Sequence, residues 1–143
     1  MNKMNMKKRI TKTMKTALLL AALAAFTACS PATVPEGYDE AAVITQAENI
    51  VTLLSAGDYE SVQASFREDL AGQLSAAQLE AAVQPEMERV GALVEFTQKE
   101  AASTKVEDTE YALVVIVAKH ENSQATYTIT MDQAGKLLGL YMR

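Results

Sequence analysis

Apolar and polar positions change their rhythm several times along this chain. Residues 17–26 (ALLLAALAAF) form an unbroken apolar run after a polar, basic start. From Asp39 the pattern becomes helical. Val43, Ala47, Ile50, Val51 and Leu54 recur at i, i+4, i+7, i+8 and i+11, one apolar face of a helix. Gly57 is a good C-terminal stop, and Asp58 a good N-cap for the next helix. Tyr59, Val62 and Phe66 give that second, short helix its stripe. In Leu74-Ser75-Ala76-Ala77-Gln78-Leu79, Ser75 and Gln78 can cap each other's amides. Leu74 and Leu79 occupy the two places of a hydrophobic staple. A third helix is therefore predicted to start at Ala76. Pro85 is predicted to end or kink it near Val83-Gln84.

After Gly91 the period falls to two. Leu93, Glu95 and Thr97 alternate with Val94, Phe96 and Gln98. Thr109 to Lys119 (TEYALVVIVAK) is apolar on both faces and reads as a central strand. Ala125, Tyr127, Ile129 and Met131 alternate with threonines, a half-buried strand. Asp132-Gln133-Ala134-Gly135 is a hairpin turn, and Lys136 to Met142 the last strand. Helices first and consecutive strands afterwards predict an α+β fold: three N-terminal helices on a curved, mainly antiparallel four-stranded sheet. No internal repeat or low-complexity segment appears.

Lys3, Lys7, Lys8, Arg9, Lys12 and Lys15 precede the apolar run, with no acid among them. A basic region, a short apolar region and small residues at a cut site make a secretory signal. Ten apolar residues are too few to span a bilayer as a helix. Phe26-Thr27-Ala28-Cys29 resembles the lipobox of bacterial lipoproteins, in which the cysteine is alkylated by diacylglycerol and becomes the first residue after cleavage. The organisation expected is a signal peptide over 1–28, lipidated Cys29 with a flexible tether to residue 38, and a single domain over 39–143. The chain would be exported and held on the extracytoplasmic side of a membrane through Cys29. Two other readings stay open: an ordinary signal peptide cut after Ala22-Leu23-Ala24, and an uncleaved anchor.

Cleavage changes the charge picture. The whole chain carries a formal charge of −5, but the discarded segment holds six of the thirteen basic residues and none of the eighteen acids. Seven bases against eighteen acids leave −11 on the body. Such a surface repels nucleic acid, whose binding runs on Lys and Arg. It suits a soluble body held off the membrane by lipid, and cationic ligands or basic partners.

The order and spacing of several stretches carry a family resemblance. They are Leu54-Ser55-Ala56-Gly57-Asp58-Tyr59, Leu74-Ser75-Ala76-Ala77-Gln78-Leu79, Val90-Gly91-Ala92 and Asp132 to Leu140 (DQAGKLLGL). Residues 39–143 resemble small bacterial extracytoplasmic domains of unknown function with the nuclear transport factor 2-like fold, a cone with a pocket between helices and sheet. The resemblance implies a lipoprotein, or a module of the kind also found ahead of hydrolase domains.

Little in the body reads as catalytic chemistry. His120, the single histidine, is expected in a surface turn beside Glu121-Asn122-Ser123. Without a second His or a free Cys, no metal site is expected, and no cofactor. Enzymes on the resembled fold, such as ketosteroid isomerase, pair a pocket acid with a tyrosine. Glu95 and Glu110 are the nearest acids. Tyr59, Phe66, Tyr111, Tyr127 and Tyr141 are candidate pocket-lining residues. The apolar faces of Thr109–Lys119 need covering on both sides, so the sheet face away from the helices is expected to meet a second copy or another partner. The function expected is a non-enzymatic binding or interaction module for a small ligand or an envelope protein. The alternative is a small-molecule isomerase or hydratase in the cone.

Overall fold

A computed structural model describes residues 33–143. The signal segment and Cys29 lie outside the described residues. Four helices come first: α1 (Glu40–Ser55), α2 (Tyr59–Ser65), α3 (Glu68–Ala71) and α4 (Ala76–Val90). Four strands come after them: β1 (Leu93–Val106), β2 (Thr109–His120), β3 (Gln124–Met131) and β4 (Leu137–Met142). They form one open antiparallel sheet in the order β1-β2-β3-β4.

The predicted stripes meet the sheet. Val43, Ala47, Ile50, Val51 and Leu54 of α1 are buried, as are Tyr59, Val62 and Phe66. They pack on one face of the sheet, made by Ala112, Val114, Ile116 and Ala118 of β2 and by Ala125, Tyr127, Ile129 and Met131 of β3. Burying each large apolar side chain contributes about 1.5–3 kcal/mol. The opposite face carries Leu113, Val115 and Val117 beside Thr126, Thr128 and Thr130. Those residues are half-buried, and Tyr141 is 62% exposed. Two register shifts in β1, between Leu93 and Glu95 and between Phe96 and Gln98, bend that strand as β-bulges do.

Two expectations about the helices are corrected. The helical layer holds four helices, not three. α3 is a single turn anchored where Arg67 N–H donates to Leu137 C=O at 2.9 Å. A turn of four residues is too short to show a hydrophobic period. Nor does α4 end at Pro85. The helix begins at Ala76 with the full Ser75–Gln78 capping box and runs on to Val90. Proline removes one helical hydrogen bond and costs about 3 kcal/mol inside a helix. Pro85 and Ala81, whose carbonyl loses its partner, are exposed, so water can serve that carbonyl. Burial of Met87 and Val90 one turn later offsets the rest.

Part of the stretch expected as a tether lies on the domain. Pro35 is buried, and Val34 and Tyr38 pack against the core. Tyr38 Oη donates to Met131 C=O at 3.4 Å, and Gln133 Nε2 donates to Gly37 C=O at 2.8 Å. No helix among the described residues is long and apolar enough to cross a membrane.

Candidate functional site

The C-terminal ends of α1 and α4 converge on the N-terminus of α2. α1 closes with a Schellman motif, in which Asp58 N–H donates to Leu53 C=O and Gly57 N–H to Leu54 C=O. Gly57 takes φ +73° for this turn. Asp58 then caps α2. Its carboxylate accepts from Ser61 N–H at 3.1 Å and from Ser61 Oγ at 2.7 Å. These bonds hold it below the usual carboxylate range. Tyr59 comes directly after it, its ring pressed inward.

α4 is finished by Gly91, whose N–H donates to Met87 C=O at 2.9 Å, and by the β2–β3 hairpin. Asn122 N–H donates to Val90 C=O at 2.9 Å and Glu121 N–H to Ala92 C=O at 3.0 Å. Asn122 Nδ2 reaches Arg89 C=O at 3.3 Å. His120 Nδ1 lies 2.9 Å from Gly91 C=O, and its Nε2 lies 2.9 Å from Tyr127 Oη. A carbonyl can only accept, so Nδ1 carries the ring hydrogen. In the neutral ring Nε2 then accepts from the Tyr127 hydroxyl. That hydroxyl also stands 3.6 Å from Met87 Sδ, but its one hydrogen goes to the imidazole. Burial pushes the Tyr127 phenol up to about 12, so it remains an O–H donor. The line Gly91–His120–Tyr127–Met87 is thus a latch that pins helix end, hairpin and sheet together.

This overturns the surface-turn expectation for His120, which is 2% exposed and the one buried polar or charged residue among those described. The signal was strand parity. Position 120 continues the inward series Ala112, Val114, Ile116, Ala118, and β2 extends one residue past Lys119.

The tyrosines do not share a pocket. Tyr127 is wholly buried in the core. Tyr111 sits at the start of β2, where Arg67 Nη1 donates to its hydroxyl at 3.4 Å. Tyr141 projects from β4 on the other face. Phe66 is buried in the turn after α2, bridged to Leu137. The interior between helices and sheet is filled by Tyr127, Ile116, Leu54 and Ile129, each under 2% exposed. Glu95 lies on the surface in an ion pair with Lys119, 3.6 Å apart, and Glu110 is exposed. No group of three His, Cys, Asp or Glu side chains among the described residues could hold a metal ion.

The concave features are at the surface. A groove of about 450 Å³ runs between Tyr38, Asp39, Gln46, Gln133 and Lys136. Tyr59 stands between two further clefts. One, of about 370 Å³, is walled by the ends of α1 and α4 with Met87 and Glu88. The other, of about 460 Å³, is lined by Asp58, Glu60 and Glu80.

Comparison with known proteins places residues 47–140 under a family model described as "Protein of unknown function (DUF3887)". An NMR structure of a protein from Ruminococcus gnavus ATCC 29149 is similar, with a TM-score of 0.67 and 26% identity over 76% of this chain and 94% of that one. No curated protein matches the chain.

Proposed function

Since the chain belongs to the DUF3887 family, whose name assigns no activity, we propose from its own residues that it is a lipid-anchored extracytoplasmic binding module and not an enzyme. The reading places its body among the nuclear transport factor 2-like cones. One observation carries the non-enzymatic part. The space between helices and sheet, where a cone enzyme would hold substrate, is packed with apolar side chains. The tyrosine buried there faces a histidine, not an acid, and both are consumed in a sealed hydrogen-bond line. The isomerase or hydratase alternative needs a pocket acid opposite a tyrosine, and the interior residues favour binding at the surface clefts instead.

The anchor rests on the basic start, the apolar run and the lipobox-like Phe26-Thr27-Ala28-Cys29. Its test is metabolic labelling. Wild-type chain is expected to incorporate labelled palmitate and fractionate with membranes, while Cys29→Ala does neither. Equal, low labelling of both, with both free in the medium, would overturn the anchor.

The second contact of the module is with a second copy of itself, through the sheet face away from the helices. Four strands over about eight residues give roughly 500 Å² per copy from strand spacing and rise. The pair buries about 1,000 Å², the lower edge of a specific interface. Thr128 lies near the middle of that face, between Val115 and Tyr141. Thr128→Cys in the exported chain is expected to yield a disulfide-linked dimer, while a cysteine at Ala81 on α4 does not. Equal cross-linking at both positions would remove the face-to-face dimer.

A further inference from the structure

We propose that the cleft centred on Tyr59, between the C-terminal ends of α1 and α4, binds an organic ammonium group. The proposal rests on the binding-module reading and gives it a ligand class.

Three independent features of the cleft select positive charge. The first is the two helix ends. α1 has 16 residues and α4 has 15, long enough for each C-terminus to present about half a negative charge. α1 has no basic residue in its last turn. α4 has Arg89, which is spent on Glu86 at 2.7 Å.

The second feature is carboxylate without counter-charge. Glu88 lines the α1–α4 cleft, and its Oε1 accepts only from the neutral amide of Gln84, at 2.9 Å. Asp58, Glu60 and Glu80 line the adjoining cleft beside the first residues of α4, Ala76 and Ala77, and Asp58 there is spent as the α2 N-cap. The ion pairs among the described residues join Arg67–Asp69, Arg89–Glu86, Lys99–Glu48 and Lys119–Glu95, so none of these four acids is neutralised. No Lys or Arg lines either cleft.

The third feature is Tyr59 itself, which lines both clefts. Its ring is buried, at 9% exposed, while its hydroxyl, which has no protein partner among the described residues, opens to solvent, unlike the bonded hydroxyls of Tyr38, Tyr111 and Tyr127. Burial, and then Glu80 and Glu88, push its phenol above the usual range, so the oxygen keeps its hydrogen. A neutral hydroxyl between carboxylates can donate to one of them and offer its lone pairs to an N–H donor. An ammonium N–H is the complement. Met87, Leu54 and Ala92 supply an apolar wall for the carbon attached to it, which favours an alkylammonium over a bare inorganic cation. The groove beside Tyr38 presents Asp39 and Lys136 together, and the acidic cleft shared by Tyr38 and Tyr111 has no helix end in its lining.

The test is a titration of n-butylammonium chloride into the ¹⁵N-labelled full chain in detergent, monitored by amide shifts. Saturable shifts confined to residues 54–60 and 84–92 are expected, with n-butanol producing none. Glu88→Gln, an exposed change that leaves the fold alone, is expected to weaken binding about tenfold, as loss of a charge-assisted hydrogen bond does. Tyr59→Phe, which keeps the ring, is expected to weaken it about fivefold. Glu100→Gln on β1 should bind as wild type. The peptide acetyl-Gly-Lys-Gly-amide separates the two sources of the group: tighter binding than butylammonium assigns it to a lysine side chain, and equal or weaker binding to a free amine. Shifts spread unsaturated over the acidic surface, wild-type affinity in Glu88→Gln, or the same pattern with n-butanol would each overturn the proposal. Those results leave palmitate labelling at Cys29 unaffected, so the anchor stands or falls separately.

Discussion

His120→Ala is expected to destabilise the domain by about 3–5 kcal/mol. The change leaves the part-buried Gly91 carbonyl without its partner and the buried Tyr127 hydroxyl with only the weak acceptor Met87 Sδ, each costing about 1–3 kcal/mol. It also opens an imidazole-sized cavity between Gly91 and Tyr127. For a domain of this size such a loss lowers the melting temperature by roughly 15–30 °C. Urea denaturation monitored by circular dichroism measures it. A histidine in a surface turn would change stability by no more than about 0.5 kcal/mol when truncated, so a small effect would remove His120 from its place in the latch. Tyr127→Phe tests the same line from the other end. It keeps the ring but strips the donor from Nε2, for an expected loss of about 1–3 kcal/mol. Because both single changes break one shared bond, the double variant should lose less than the sum, with a coupling of about 1–2 kcal/mol.

The latch also marks the boundary between what local sequence pattern reveals and what it does not. The α1 stripe, the Ser75–Gln78 capping box and the inward series Ala125, Tyr127, Ile129, Met131 are local signals, each complete within a few residues. They place the elements and most of the core. Pro85 misleads because its cost is local while its compensation, burial of Met87 and Val90, comes from the sheet. His120 misleads because the polar run Glu121-Asn122-Ser123 beside it looks like a turn and is one. Only strand parity carries the side chain inward, and only the folded chain brings Gly91 and Tyr127 to its two nitrogens. The tyrosines illustrate the same limit. The resembled fold makes Tyr59, Tyr111, Tyr127 and Tyr141 candidate pocket residues, but Tyr127 belongs to the core, Tyr141 to the opposite face and Tyr111 to a surface cleft at a strand end. Tyr59 stands at a cleft where two long helices end and no base lines the wall. That cleft is assembled from residues 54–59 and 84–92. Both helix stops, Gly57 and Gly91, are readable in the sequence, but their convergence is a property of the packing.

Gly91→Ala is expected to cost about 3–5 kcal/mol, and Gly57→Ala only about 1 kcal/mol, although both glycines end helices with positive φ. Gly57 sits at φ +73° with nothing within 4 Å of the position a Cβ would take. An alanine there suffers only the left-handed backbone penalty. Gly91 sits at φ 83°, ψ −170°, a region that is essentially glycine's own and costs about 1–3 kcal/mol for other residues. Its added Cβ would also meet Asn122 Nδ2 at 3.0 Å and Glu121 Cβ at 3.1 Å. Those atoms cannot retreat freely, because the turn that carries them is bound to Val90, Ala92 and Gly91 itself. Moving the turn outward lengthens the His120 Nδ1–Gly91 bond and withdraws the partner from a part-buried carbonyl, adding about 1 kcal/mol or more. Thermal unfolding of the two variants side by side decides the point. Equal losses would mean that the hairpin does not hold the end of α4. A loss at Gly91 at least about 2 kcal/mol larger, shrinking when His120 is already alanine, is the result this contact predicts.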